Sequence, residues 1–218
     1  MLCTLAGPLL FSFEKRVAYF KKWKYLLLPF LLTAVYFVIW DSIFTAEGIW
    51  SFNERYILGY KFLLLPFEEY LFFFFVPYSC LFIYEVANYY FKKDILRKYA
   101  YTINSVILLA ISVTGILNFH KAYTAFNFLS AAILLAYIQF ILKPDWLGRF
   151  YVGYFMSLVP FLIVNGILTG LPVVSYNNQE NLGIRIFTIP VEDTIYCLLL
   201  LMMNVAMYEW QKNKNVRT

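Results

Sequence analysis

The chain has 218 residues, of which 62% are hydrophobic and only 14% are charged. Soluble domains carry about a quarter charged residues, so this chain has too few polar groups to coat a water-facing surface. The composition therefore excludes an ordinary soluble domain and predicts an integral membrane protein surrounded by lipid. The formal net charge is +5. The positions of the basic residues decide whether this charge indicates a nucleic-acid partner or the topology of a membrane protein.

Seven apolar segments predict the fold class: all-α, a polytopic membrane protein of about seven transmembrane helices. The later segments reach the length of about 20 residues that a helix needs to cross the hydrocarbon core. The first is shorter, but no small-residue cleavage site follows it, so we interpret it as a first span and leave open an incomplete N-terminus. In chain order the predicted spans are 1–13, 25–40, 66–91, 100–117, 122–142, 150–170 and 190–210.

Most basic residues fall on one side of these spans. Fourteen of the 18 follow the first, third, fifth or seventh span: Lys15, Arg16, Lys21, Lys22, Lys24, Lys92, Lys93, Arg97, Lys98, Lys143, Arg149, Lys212, Lys214 and Arg217. The positive-inside rule assigns that side to the cytoplasm, which predicts a multi-pass cell-membrane protein with its N-terminus outside and its C-terminus inside. Because the basic residues act as topology signals, no nucleic-acid partner is predicted.

The sequence carries no signature of a metal or cofactor. Cys3, Cys80 and Cys197 lie in apolar runs without the spacing of a metal site, and we interpret them as small buried side chains. The single histidine, His120, lacks a second ligand. No Gly-x-Gly-x-x-Gly or P-loop pattern occurs, so no flavin or nucleotide cofactor is expected.

The chain aligns with itself when it is shifted by 124 residues. The segment 39–85 then matches 163–209 without a gap, with identities at Gly, Pro, Glu and Thr that an apolar chain does not produce by composition alone. This predicts an internal repeat: a three-helix unit 1–98, a linker helix 99–121 and a second three-helix unit 122–218. The repeats run parallel and are expected to be related by a pseudo-two-fold axis along the membrane normal.

Each repeat carries a Pro-x-Glu-acid motif at the start of a membrane helix, which gives Glu68 and Glu69 in the first and Glu192 and Asp193 in the second. Proline and acids suit the first turn of any helix, so simple capping is the structural explanation. Carboxyl groups at the membrane, however, are costly and usually functional. Brought together in one apolar pocket they cannot all ionise, so one can donate a proton and a neighbour accept one. These four acids are the predicted catalytic residues.

A second set of residues is expected to bind the substrate. The chain holds 23 Phe, 19 Tyr and 5 Trp, most of which will fill the core, but aromatic faces also stabilise a cation that has no nearby anion. An acid, an aromatic cage and access from lipid suggest protonation of an alkene. The predicted substrate-binding residues are Asp41, Asn53, Tyr70, Phe72, Asn165 and Asn177. For the Asp and the three Asn, hydrogen-bonded structural roles are the simpler alternative.

The segment 50–59, Trp-Ser-Phe-Asn-Glu-Arg-Tyr-Ile-Leu-Gly, and the segment 65–74, Leu-Pro-Phe-Glu-Glu-Tyr-Leu-Phe-Phe-Phe, resemble the integral-membrane lycopene cyclases of bacteria, archaea and fungi. Both Pro-x-Glu-acid motifs match that family, which occurs as two small subunits or as one fused chain. The resemblance implies lycopene as substrate and β-carotene, formed through γ-carotene, as product, with no net redox change. Contact with other enzymes of the carotenoid pathway is also expected.

In the implied reaction an acid protonates the terminal alkene, an internal alkene closes the ring, and a base removes a ring proton. We expect Glu68 and Glu192 in the acid set, with Glu69 and Asp193 as bases or tuning partners, although the motif does not separate donor from base. Three alternatives remain: a carotenoid hydratase that shares the protonation step, a small membrane transporter, and a structural membrane subunit. The clustering of the acids at one face argues against a transport path.

Overall fold

The computed structural model describes residues 2–216 and the side chains of 4–214, so the predictions for Met1, Arg217 and the Cys3 side chain lie outside the described residues. The described chain is mostly helical. Its α-helices are α1 (Leu2–Phe11), α2 (Leu27–Ala46), α3 (Phe67–Tyr90), α4 (Ala100–Leu117), α5 (Ala122–Ala136), α6 (Leu147–Gly170) and α7 (Glu192–Val216).

Five helices are long and apolar enough to cross a membrane: α2, α3, α4, α6, and α5 with the π-helical turn that extends it to Leu142. In the described chain, five of the predicted spans thus coincide with candidate membrane-spanning helices, which fits a membrane protein. The helix α1 has only ten residues, and α7 has 25 residues but is not among the five. Spans at these two positions remain predictions.

Short strands, which the all-α prediction omitted, connect the helices on the acid-bearing side. They are β1 (Trp50–Phe52), β2 (Lys61–Phe62), β3 (Leu65–Pro66), β4 (Val174–Tyr176), β5 (Arg185–Ile186) and β6 (Ile189–Pro190). They form three antiparallel ribbons, β1 with β4, β2 with β3 and β5 with β6. Strands of two or three residues are too short for an alternating pattern to reveal them.

The helix α7 lies at the centre of the bundle, in contact with α2, α3, α5 and α6. Its residues Leu198, Leu199, Leu200, Leu201 and Met202 are all buried, as expected for a helix that is apolar on every side and covered by protein. The helix α4 packs mainly on α5 at the edge and leaves Val106, Leu109 and Ile116 exposed. Such a face suits contact with lipid.

Close packing of α3 against α6 depends on Gly153. A Cβ atom at this position would lie 3.1 Å from a ring carbon of Tyr84 and 3.3 Å from its Cα atom. The absence of a side chain therefore lets the two helices approach, as small residues do in membrane helix pairs.

At the end of the bundle opposite the acid motifs, α3 and α7 are joined by charged and phenolic groups that we call the Tyr–Glu cluster: Lys22, Tyr84, Glu85, Tyr208, Glu209 and Lys212. Tyr208 donates a hydrogen bond to Glu85 (2.6 Å) and Tyr84 donates one to Glu209 (3.0 Å). Lys212 Nζ lies 3.2 Å from Glu85 and 2.8 Å from Glu209. These reciprocal bonds fix the relative position of the two helices.

Replacing Glu85 with Ala should destabilise the protein by about 3 kcal/mol, because two lysines and a buried tyrosine lose a partner whose side chain is only 4% exposed. Thermal unfolding of the purified protein in detergent measures the effect. The matched control is Glu54→Ala, which removes a carboxylate that is 71% exposed and paired with Lys61. Equal melting temperatures for the two variants would contradict this account of the cluster.

Candidate active site

The two acid motifs are held by similar local structures. The hairpins β2–β3 and β5–β6 end in Pro66 and Pro190, and α3 begins at Phe67 and α7 at Glu192. The next backbone amide of each motif donates back across its hairpin: Phe67 to the Tyr60 carbonyl at 2.9 Å, and Val191 to the Ile184 carbonyl at 3.0 Å. Each hairpin therefore fixes the direction in which its helix starts.

The first acid of each motif binds the preceding loop. Glu68 Oε1 accepts a hydrogen bond from the Leu58 amide, and Glu192 Oε1 accepts one from the Leu182 amide, both at 2.7 Å. Glu192 Oε1 also accepts a bond from the Thr124 hydroxyl at 2.6 Å. The Oε2 atoms of both glutamates are buried and have no hydrogen-bond partner among the described residues. These two acids hold their loops against the helix starts.

The second acid of each motif faces a cavity of about 60 Å³ that we call the acid cavity. Thirteen residues line it: Asp41, Trp50, Phe52, Glu69, Phe72, Tyr123, Phe161, Asn165, Leu168, Val174, Tyr176, Asp193 and Tyr196. Three of them are carboxylic acids and seven are aromatic, and none of these lining residues is basic. The acid cavity therefore combines proton-transfer groups with aromatic faces and has no cation of its own.

Asp193 receives three hydrogen bonds inside this cavity. The hydroxyls of Tyr123 and Tyr176 donate to it at 2.6 and 3.0 Å, and Asn165 Nδ2 donates at 3.2 Å. Tyr176 lies in β4, outside the helices. Burial, and then the nearby charge of Asp193, raise the pKa of Tyr176 well above its usual value. The phenol therefore stays protonated and acts as a hydrogen-bond donor to Asp193.

Glu69 and Asp41 are held less tightly. No described residue donates a hydrogen bond to the Glu69 carboxyl, which is partly exposed to the cavity. Asp41 is 1% exposed, and the Tyr196 hydroxyl lies 3.3 and 3.4 Å from its two oxygens. The three acids thus differ in their donors: three groups at Asp193, one at Asp41 and none at Glu69.

Most of the cavity lining consists of positions related by the 124-residue shift. Ten of the thirteen residues form five such pairs: Asp41 and Asn165, Trp50 and Val174, Phe52 and Tyr176, Glu69 and Asp193, Phe72 and Tyr196. In the β1–β4 ribbon, Ser51 lies opposite Ser175, its own counterpart under the shift. The Asn53 amide donates to the Val173 carbonyl, and the Asn177 amide donates to the Ile49 carbonyl, both at 2.9 Å.

Three of the six predicted substrate-binding residues line the cavity: Asp41, Phe72 and Asn165. The other three bond to nearby backbone. Tyr70 donates to the Phe62 carbonyl at 2.7 Å, while the side chains of Asn53 and Asn177 each accept, at 3.0 Å, from the amide two residues ahead. These three are outside the cavity lining.

Sequence reasoning missed several aromatic residues of the cavity, among them Tyr123, Tyr176 and Tyr196. The sequence could have indicated two of them, Tyr196 and Tyr176. Tyr196 is the counterpart of Phe72 under the 124-residue shift and lies one helical turn after Asp193. Tyr176 directly precedes Asn177, which was a predicted site residue. Tyr123 comes from the start of α5 and reaches the cavity only through tertiary packing, so no local pattern marks it.

Metal binding has no support in the described part of the chain, where no group of three or more His, Cys, Asp and Glu side chains could hold an ion. The residues that line the acid cavity offer carboxyl groups, which can transfer protons, and aromatic faces, which can stabilise positive charge.

A protein-family model described as lycopene cyclase matches residues 1–87 and 120–211. The chain belongs to the lycopene cyclase family. The unmatched interval 88–119 contains α4. No curated protein and no solved structure matches the chain. Membership of the lycopene cyclase family makes the chain an enzyme of carotenoid biosynthesis with a carotenoid substrate, and its apolar helices fit a membrane location.

The loop-holding role of Glu68 and Glu192 predicts a reciprocal result in hydrogen–deuterium exchange. Glu68→Ala should speed exchange at the Leu58 amide by roughly tenfold, because the side-chain acceptor of that amide is lost, and leave Leu182 unchanged. Glu192→Ala should do the reverse.

Each of these two variants serves as the control for the other. Unchanged exchange at both amides, or equal acceleration of both by either variant, would contradict a local loop-holding role.

Proposed function

We propose that the protein is a lycopene β-cyclase that converts the linear ends of lycopene to β-ionone rings, forming first γ-carotene and then β-carotene. The observation that carries this proposal is the acid cavity, where three carboxyl groups and seven aromatic residues converge without a basic side chain. The reaction needs a proton donor, a proton acceptor and a site that tolerates a carbocation, and the lining provides all three.

We assign the proton donor to Glu69. Its carboxyl receives no hydrogen bond from a described residue, so its O–H group is free to face an alkene in the cavity. Protonation of the terminal double bond gives a tertiary cation, and attack by the internal double bond closes the six-membered ring.

We assign the base to Asp193. Its two oxygens are held by Tyr123, Tyr176 and Asn165, which orient the carboxylate as a proton acceptor. Removal of a ring proton by Asp193 leaves a neutral product and no net change in protons or electrons. Transfer of that proton back to Glu69 across the cavity completes the cycle, and Asp41 lies in the same cavity as a relay.

From the motif alone we expected Glu68 and Glu192 in the acid set, whereas we now assign the proton donor to Glu69. Their bonds to the Leu58 and Leu182 amides support a positioning role instead, because each fixes the loop in front of a catalytic helix. They act through the helix start and not on the reacting atoms.

The size of the cavity supports substrate-induced widening. An apolar cavity that binds benzene measures about 150 Å³, whereas the acid cavity measures about 60 Å³. The terminal part of lycopene is larger than benzene, so the lining must move. The β1–β4 ribbon contributes Trp50, Phe52, Val174 and Tyr176 and is the wall not built from helices, so we assign the movement to it.

We also propose that the chain is a duplicated three-helix unit, with repeats 1–98 and 122–218 joined by the linker 99–121 and related by an axis through the acid cavity. The five paired lining positions and the Ser51–Ser175 register support this arrangement. On the distribution of basic residues, the acid cavity lies towards the outer face and the C-terminus lies in the cytoplasm.

Expression in a bacterium that accumulates lycopene tests the function. The unaltered protein should convert the pigment to β-carotene, and Glu69→Gln and Asp193→Asn should each reduce the rate at least about 100-fold, because a general acid or base is lost. Glu68→Gln should lose less, since an amide oxygen can still accept the Leu58 bond.

The matched control is Glu54→Gln, an exposed acid of the same face that should behave as the unaltered protein. Membrane levels are compared by immunoblot, and pigments are separated by chromatography. A hydroxylated acyclic pigment would indicate a hydratase. Full activity of Glu69→Gln at normal membrane levels would overturn the proposed donor.

A single cavity predicts the order of events, because the two ends of one long polyene cannot occupy it together. A time course in detergent or vesicles should show γ-carotene rising before β-carotene and then falling. Direct formation of β-carotene with no one-ring intermediate, at every enzyme-to-substrate ratio, would contradict one shared cavity.

A further inference from the structure

A second and larger cavity lies at the end of the bundle opposite the acid cavity. Its volume is about 1110 Å³, and it is bounded by the ends of α3 and α7 and by the turn between α5 and α6. Lys212 lies on its wall, 19 residues beyond Asp193 on α7, which corresponds to about 28 Å along a helix. The two cavities are therefore separate, and we call this one the basic cavity.

The acidic residues of the basic cavity are already paired. Glu85 is bound by Lys22 and Lys212, and Glu209 is bound by Lys212 and by the Tyr84 hydroxyl. The remaining acid of the lining, Asp145, lies 3.4 Å from Arg97. Each lining carboxylate thus already has at least one cationic partner.

Three cations of the same lining, Lys143, Arg149 and Lys214, have no ion pair with a described carboxylate. Arg149 donates only to the Asn88 side chain and the Lys92 carbonyl, at 3.4 and 3.3 Å, and so keeps unused N–H groups. The basic cavity thus presents an excess of positive charge from α6, α7 and the α5–α6 turn.

The rim of the basic cavity has the side chains of a membrane interface. Trp146, directly before α6, and Trp210, in α7, line it, and Trp210 is 56% exposed. Tyr137 and Leu142 also line it, and the adjacent Phe140 and Ile141 are exposed apolar residues of the same turn. Tryptophan and tyrosine prefer the headgroup level, and apolar exposed residues suit acyl chains.

We propose that the basic cavity binds the headgroup of an anionic phospholipid. The three cations without an ion pair bind the phosphate, as basic pockets between membrane helices do. The acyl chains extend from the cavity along the exposed apolar residues Phe140 and Ile141. The continuity of the cavity with an apolar, exposed surface favours a lipid over a free phosphate ion. This inference does not depend on the cyclase chemistry, because the basic cavity contains none of the acid-cavity residues.

Native mass spectrometry of the full chain tests the proposal, with phosphatidylglycerol and phosphatidylcholine as the lipids added. The unaltered protein should retain phosphatidylglycerol on the order of tenfold more strongly, and the triple variant Lys143→Gln, Arg149→Gln, Lys214→Gln should lose that preference. The control triple variant Lys15→Gln, Lys21→Gln, Lys98→Gln removes the same charge from exposed residues outside the cavity lining and should keep the preference.

Further experiments separate the possible ligands and keep the proposal testable if the triple variant misfolds. Inorganic phosphate or glycerol 3-phosphate that displaces phosphatidylglycerol at millimolar concentration would indicate a free-phosphate site and overturn the lipid proposal. A photoreactive phosphatidylglycerol applied to the unaltered protein should label the α5–α6 turn or the end of α7, even if the triple variant fails to fold. Labelling elsewhere, an equal loss in the control variant, or no preference in the unaltered protein would also overturn it.

Discussion

The architecture depends on placing carboxyl groups inside an apolar helical bundle, around a cavity whose lining contains no basic residue. Desolvation makes such a group costly unless donors satisfy it, and here the donors are uncharged: two phenols and an amide at Asp193, and one phenol at Asp41. Neutral donors orient a carboxyl oxygen. An ion pair would also hold the carboxyl group in its charged form. In the proposed mechanism, this leaves each acid able to exchange a proton, which a salt bridge to lysine would oppose.

The opposite end of the same helices shows the contrasting solution. Glu85 and Glu209, on α3 and α7, are bound by lysines as well as tyrosines and close the bundle as structural groups. One pair of helices thus carries carboxyl groups that line the acid cavity at one end and carboxyl groups paired with lysine at the other. The difference lies in the partner supplied by neighbouring segments and not in the acid itself.

The sequence predicted the membrane class, the five apolar helices now observed and the motif that contains Glu69 and Asp193. It did not predict which acid of each motif faces the cavity. Adjacent helical residues diverge by about 100°, so the motif requires two different environments but does not say which residue takes which. That outcome depends on the Leu58 and Leu182 amides, which reach Glu68 and Glu192 through hairpins too short for any pattern to mark.

The paired lining of the acid cavity has an evolutionary and stereochemical consequence. Four of the five counterpart pairs differ by only a few atoms, the exception being Trp50 and Val174. Phe52 and Phe72 have no hydroxyl where Tyr176 and Tyr196 do, and Asp41 is matched by an amide at Asn165. The two walls, built from counterpart positions, therefore carry different hydrogen-bonding groups. In the proposed mechanism, an incoming polyene end would meet Glu69, which no described residue holds, on one wall and Asp193, which three groups hold, on the other. Substitutions as small as a single oxygen atom would then give proton transfer its direction.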